Sequence, residues 1–565
     1  MKKAFLIAFG ICLGSLAACV GERDARVGDF ERAEMEVAGA APEADFHILI
    51  AEFALQRGEY AAAAEEYAEA ARLSSDPGLL RRATEVNFQY GRLADALASA
   101  ERWLQLEPDA QEARNYLVRL HLRAGDVGSA AEQLEHLLDA SEPPASEDAF
   151  MRALALLSDV QERSLATRAM RKVVGKHRAS AEAHYALASL ALRSGDPALA
   201  TESARQARNI RPEWTDARLI LARALVLDGQ VDAGLAEARA LVENKPEPGE
   251  RLEYALLLGS TGRTDEAREL LNEMLTADPR NAEALRVLGL LELETGNLDA
   301  AETRFNALLV SGRYPYEAFY YLGAIAENRE EFERALQFYA RVRASQYVVD
   351  AQIRTSRVLL ALGNGQAGVD HLAEMAEVLP EQAVELLAAR GQLLEEMGDT
   401  DAALEAYNES LRTHPENDTL LYARAFLFER LDRVDDAIAE LRRIVDDRPD
   451  DPTALNALGY TLADRTGRHR EAHRYIKKAL ELDPGNAAIL DSMGWVLYKR
   501  RRNAAALEHL ERAYALAPDP EIAAHLGEVL WATGDEARAQ HIWQETLEAH
   551  PEAPAVVEVM ERLAS

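Results

Sequence analysis

From Asn456 to Pro518 the small and apolar positions fall twice into one pattern. The first pass places Leu458-Gly459, then Ala472, Ala479 and Pro484; the second places Met493-Gly494, then Ala506, Ala513 and Pro518. The step between them is about 34 residues, the period of a helix–turn–helix repeat. Each landmark has a packing reason. The Gly of the first helix (helix A) lets the second (helix B) approach closely. The first Ala of helix B marks the crossing of the two helices, and the second faces the next repeat. The Pro stops helix B, because it lacks an N–H and clashes with the preceding turn.

The same beat runs through most of the chain. The turn between helices A and B carries Gly58, Gly91, Gly125, Gly195, Gly229, Gly262, Gly296, Gly363, Gly398, Gly467 and Gly534, with Glu330, Asp432 and Arg501 in turns that lack a Gly. Helix B is followed by Pro108, Pro212, Pro246, Pro279, Pro380, Pro415, Pro449, Pro484, Pro518 and Pro551. Two independent landmarks share one phase. These residues resemble the tetratricopeptide (TPR) motif. The expected fold is all-α, a right-handed superhelical solenoid of about fifteen TPR-like repeats.

Departures from the beat suggest boundaries. Ser141-Glu142-Pro143-Pro144 cannot lie inside a helix, and the unit after it lacks both the turn Gly and the terminal Pro. The expected organisation is a removed signal peptide at 1–18, a lipidated Cys and flexible tether at 19–43, and N-terminal repeats at 44–144. A degenerate, hinge-like repeat follows at 145–180, then the main solenoid at 181–553 and a capping helix at 554–565. The unit at 316–349 also lacks its terminal Pro, and the unit from Pro452 has one extra residue in its turn.

Composition agrees with helix, since Ala, Leu, Glu and Arg dominate and strand-like alternation is scarce. The net charge of −33 argues against a nucleic-acid partner, which needs a basic face. The two cysteines, Cys12 and Cys19, sit at the extreme N-terminus, so neither a disulfide framework nor a Cys-based metal site is expected in the body.

The N-terminus reads as a targeting segment. Lys2 and Lys3 precede an apolar stretch, Ala4 to Leu13, too short for a comfortable membrane span. It ends in Leu16-Ala17-Ala18-Cys19, which resembles the lipobox of bacterial lipoproteins. That resemblance implies cleavage before Cys19 and its acylation. Val20, where an Asp would imply inner-membrane retention, implies an outer-membrane anchor facing the periplasm. Charged, Gly/Ala-rich residues 20–43 read as the tether.

No enzymatic motif is apparent. His469 and His473 stand one helical turn apart, but Arg470 occupies the position that a zinc-protease signature gives to Glu, and no third ligand is evident. There is no phosphate-binding Gly-rich loop and no nucleophile elbow. The repeats consume the chain, so no enzyme activity, cofactor or metal is expected.

Function in such an array lies in binding. In the TPR family, positions 5, 9 and 12 of each repeat commonly face the concave groove. By resemblance, the C-terminal units place there Tyr422, Phe426 and Glu429; Asn456, Tyr460 and Ala463; Asp491, Trp495 and Tyr498; and Ala524, Glu528 and Trp531. Six of these twelve are aromatic in a chain that is 6% aromatic. The candidate partner-binding set is Tyr422, Phe426, Asn456, Tyr460, Asp491, Trp495, Tyr498 and Trp531. Such aromatics serve either as anchors for a peptide or as packing between successive A helices. A basic patch, Lys499-Arg500-Arg501-Arg502, lies in a stretch from Arg465 to Arg502 with ten Lys/Arg against four Asp/Glu. It is either a dock for an acidic partner or a solvated turn.

The runs LNALGYTLADRTGR, AILDSMGWVLYKR and LERAYALAPDPEIAAHLGEVLWATGD resemble the LbcA-type lipoproteins. That resemblance implies an adaptor of a periplasmic carboxyl-terminal processing protease, binding both the protease and substrates such as peptidoglycan hydrolases. The alternative is a TPR lipoprotein scaffold in outer-membrane assembly or polysaccharide secretion.

Overall fold

The computed structural model describes residues 42–564, apart from 142, 144, 245 and 246. Cys19, the signal peptide, most of the tether and Pro246 therefore lie outside the described residues. Among the described residues, thirty-one α-helices follow one another with no strand, as fifteen helical hairpins and a final helix, Pro554–Ala564. The first helix, Pro42–Gln56, begins with Pro at a position where a missing N–H costs little, so the last two residues assigned to the tether are helical. Contacts divide the chain into two compact units, one ending at Arg313 and one starting at Tyr314.

The landmarks do what their chemistry predicts. Ala472, Ala479, Ala506 and Ala513 are fully buried. A Cβ on Gly459 would stand 2.5 Å from Ile476 Cγ1 and 3.2 Å from the Ala472 carbonyl oxygen, so helix B rests directly on the backbone of helix A. Each described helix-B terminator acts through the residue before it. Asp483, for example, takes φ −135° and ψ 82° ahead of Pro484, outside the helical region that a following Pro disfavours. Helix A starts on a side-chain cap in the C-terminal repeats. Asn417 accepts from the Leu420 N–H, Asp451 from Thr453 and Ala454, Asn486 from Ala488 and Ile489, and Asp519 from Glu521.

Most A-to-B turns carry one left-handed residue. Glu330, Asp432 and Arg501 take φ of 59°, 57° and 61°, the conformation that Gly adopts in most of the other turns. Gly467 departs from this. The extra residue in its turn lets Thr466 cross in extended backbone, φ −140° and ψ 168°, and Gly467 is not left-handed.

In the first unit the Ser141 hydroxyl donates to the Leu138 and Pro143 carbonyls, and Ala145 turns the chain at φ 50°. One apolar core nevertheless runs through this segment from Val118 to Leu190. In the second unit helix B of the Pro-less repeat is short, Phe332–Tyr339, only eight residues. A core from Val369 to Val559 links the later repeats.

Candidate partner-binding surface

The C-terminal A helices are Asp418–Arg430, Pro452–Arg465, Ala487–Lys499 and Pro520–Ala532, with Pro554–Ala564 beyond them. Residues one repeat apart on these helices are neighbours, so the mapped positions form rows across the face.

The rows differ in depth. On Asp418–Arg430, Tyr422 and Phe426 stand one turn apart with stacked rings, centroids 6.2 Å apart and 18° between planes. Phe426 is 42% exposed. Tyr422 is half-buried, and its hydroxyl has no protein hydrogen-bond partner. Burial, reinforced by Asp451 and Asp418 against Arg448, pushes its phenol up to about 12. On the next helix Asn456 and Tyr460 are also half-buried. The Asn456 Oδ1 lacks a partner, and burial followed by the carboxylates of Asp464 and Asp491 raises the Tyr460 phenol.

The Ala487–Lys499 helix is packed differently. Trp495 is 4% exposed and Asp491 6%. The Trp495 indole N–H donates to Asp464 Oδ1 at 3.1 Å. Its ring stacks on His525, centroids 4.1 Å apart, and Lys499 Nζ lies 4.3 Å from the ring centroid. His525 Nδ1 in turn reaches both Asp491 carboxylate oxygens, at 3.0 and 2.9 Å. Burial opposes the charge on His525, but Asp491, Glu521 and Asp464 outweigh it and raise the imidazole above its ordinary value. Asp464, Asp491, Trp495, Lys499 and His525 thus pin three successive A helices together. Trp495 and Asp491 are committed to that packing.

Farther along, Tyr498 is half-buried beside Trp495, with its phenol raised by burial and then by Glu528. Trp531, half-buried, stacks on Trp543 at 5.9 Å. Glu528 is paired with Arg562 of the last helix. Glu429 is half-buried and its carboxyl is raised by burial, while Ala463 and Ala524 are buried. The accessible part of the candidate set is therefore Tyr422, Phe426, Asn456, Tyr460, Tyr498 and Trp531.

The four basic residues do not share one surface. Lys499 belongs to the A-helix face, over Trp495 and 3.9 Å from Asp464. Arg500 and Arg502 line a cleft at the repeat edge with Gly467 to Glu471, and Arg501 is exposed in its left-handed turn.

Sequence reading passed over two features. His525 has no local signature; only its place one repeat after Asp491 marks it. A second aromatic concentration lies at Tyr316 to Tyr347, signalled by the density of Tyr and Phe in that stretch. There Tyr320 stacks on Tyr347 at 4.7 Å, and Arg354 Nε donates to the Tyr320 hydroxyl at 3.1 Å.

The tetratricopeptide repeat profile matches residues 88–149, 185–247, 252–318, 291–349, 388–452, 422–487 and 461–521, more than half of the sequence. The chain belongs to the tetratricopeptide repeat family. It is 39% identical over 211 residues to a TPR repeat-containing protein of Pseudomonas aeruginosa, covering 37% of this chain and 36% of that protein. It is 28% identical over 495 residues to the cellulose synthase 2 operon protein C of Komagataeibacter xylinus, covering 79% of this chain and 36% of that protein. These matches span about a third of each relative's length. Among solved structures, a thermophilic TPR protein of Thermus thermophilus aligns at 23% identity over 32% of this chain and 99% of its own, with a TM-score of 0.30. TPR arrays are, as a class, protein-interaction scaffolds.

Proposed function

We propose that this chain is a non-catalytic scaffold lipoprotein. It is anchored through Cys19 to the outer membrane, faces the periplasm, and presents substrates such as peptidoglycan hydrolases to a carboxyl-terminal processing protease. The observation that carries the scaffold reading is the partly exposed row of Tyr422, Phe426, Asn456 and Tyr460 on two successive A helices, the second of which the Trp495 network ties to the repeats that follow. Partly exposed aromatic side chains are the anchors that a docking face needs. The adaptor role and the anchor rest on resemblance, in the runs between Leu455 and Asp535 and in the lipobox at Leu16 to Cys19.

The mechanism needs no chemistry from the scaffold. Two partners held on one array meet at an effective concentration of roughly millimolar order, far above that of free envelope proteins. Activation of the protease beyond this tethering requires higher affinity for its active state.

A second reading is favoured by the long match to a cellulose synthase operon protein, namely a scaffold in polysaccharide secretion. Affinity capture of the C-terminally tagged chain from crosslinked envelopes, followed by mass spectrometry, separates the two. Recovery of a processing protease with cell-wall hydrolases supports the adaptor. Recovery of export or outer-membrane assembly components alone overturns it in favour of the second.

A further inference from the structure

A chain of net charge −33 carries, among its described residues, a concentrated cationic cleft. It opens at the edge of the repeats, has a volume of ≈ 580 Å³, and is lined by Gly467, Arg468, His469, Arg470, Glu471, Arg500 and Arg502. Four guanidinium groups and an imidazole face a single carboxylate. That carboxylate is already shared, since Glu471 accepts from Arg468 Nε at 2.8 Å and from Arg442 Nη2 at 2.9 Å. It neutralises little of the remaining charge.

Two further observations mark the cleft as a place for an anion. The Arg500 Nη1 is buried and has no hydrogen-bond partner. The Arg500 guanidinium thus lines the cleft with no carboxylate partner of its own. The helices His469–Leu482 and Asn503–Leu516 both begin here, one repeat apart, on Arg468 and Arg502, and neither has a side-chain cap. The N-termini of both helices therefore bring positive dipole ends and uncapped backbone N–H groups to the same edge. The local field is felt one turn along, where burial and then the charges of Arg500, Arg502 and Lys477 lower the His473 imidazole below its ordinary value.

We propose that this cleft binds a phosphate group, held by the Arg500 and Arg502 forks and the N-termini of the two helices. Arginine forks and helix N-termini match the several oxygens of phosphate, whereas a single carboxylate would use only part of the set. The phosphate arrives either as a soluble anion or as a phospholipid headgroup. The site is separate from the aromatic A-helix face and does not depend on the adaptor reading.

The test is calorimetric titration of the full chain with inorganic phosphate and with glycerol 1-phosphate, the latter standing for the headgroup. Each is compared with Arg500→Gln/Arg502→Gln and with the single variant Arg502→Gln, whose exposed side chain is not part of the core. Binding weakened at least tenfold in both variants, with unchanged melting temperature, supports the site. Tighter binding of glycerol 1-phosphate assigns the headgroup, and tighter binding of inorganic phosphate assigns the free anion. No heat with either probe, equal binding by the Arg502→Gln variant, or binding of a poly-glutamate peptide alone would overturn it.

Discussion

Trp495 and Phe426 occupy equivalent positions two repeats apart in sequence, yet their burial predicts opposite phenotypes. Trp495→Ala removes a ring that is 4% exposed, its hydrogen bond to Asp464, its stack on His525 and its contact with Lys499. Truncation of a buried Trp costs about 3–5 kcal/mol. The indole bond to a carboxylate accounts for about 1.5–3 kcal/mol of that. Phe426, 42% exposed, leaves little more than half of its ring to lose. Since full burial of a Phe is worth about 1.5–3 kcal/mol, Phe426→Ala should cost about 1–1.5 kcal/mol. Its effect should appear in binding instead, where loss of an aromatic anchor costs about 2 kcal/mol, close to a 30-fold weakening. Repeat arrays do not always unfold in one step, so urea melts should be paired with hydrogen exchange over the Pro452–Arg465, Ala487–Lys499 and Pro520–Ala532 helices. The expected result is lost protection in all three helices for Trp495→Ala and near-native protection for Phe426→Ala. A Trp495→Ala chain within about 1 kcal/mol of wild type would refute the packing argument.

Four other outcomes follow from the same structure. Gly459→Ala should destabilise by about 1–2 kcal/mol in a urea melt, because a clash worth up to about 3 kcal/mol outweighs the helix-propensity gain of about 1 kcal/mol. Gly485→Ala, with nothing within 4 Å of the new Cβ, should be neutral or stabilising. Glu330→Gly should raise stability by up to about 1 kcal/mol, since a non-Gly residue at φ 59° is strained, and equal or lower stability in the same melt would contradict the turn assignment. The His525 imidazole is raised when folded, so its contribution is complete below the unfolded pKa of about 6.5 and is lost as pH rises through the higher folded value. Thermal melts from pH 6 to 9 should therefore show the C-terminal repeats weakening with pH, and His525→Gln should flatten that slope; an unchanged slope counts against the Asp491 pairing.

The repeat was legible because its landmarks act locally. Gly459 clears a path for helix B, Pro484 excludes a helical predecessor, and Asp432 or Arg501 can fill a left-handed turn, all within one hairpin. Gly467 lies in its A-to-B turn as the beat requires, but the added residue lets Thr466 make the crossing in extended backbone, a detail of geometry that the beat alone does not carry. The early end of helix B at Tyr339 was unreadable beyond the missing Pro. The division of the candidate site was hidden for a different reason. Whether Trp495 is anchor or mortar depends on Asp464 and His525, some thirty residues away on either side in neighbouring A helices. Likewise, Lys499 to Arg502 form one charge run in sequence, but the turn at Arg501 sends Lys499 to the A-helix face and Arg500 and Arg502 to the cleft.

The central claim is that the accessible aromatic row on the C-terminal A helices receives protein partners. Site-specific photo-crosslinking in intact cells tests it most directly, with the reactive residue placed at Phe426 and, as control, at Leu516, an exposed position at the end of a helix B. The account predicts discrete adducts from position 426 that contain a processing protease or its substrates, and none of these from position 516. The same adducts from both positions, or none from 426 while the chain still captures its partners, would contradict it.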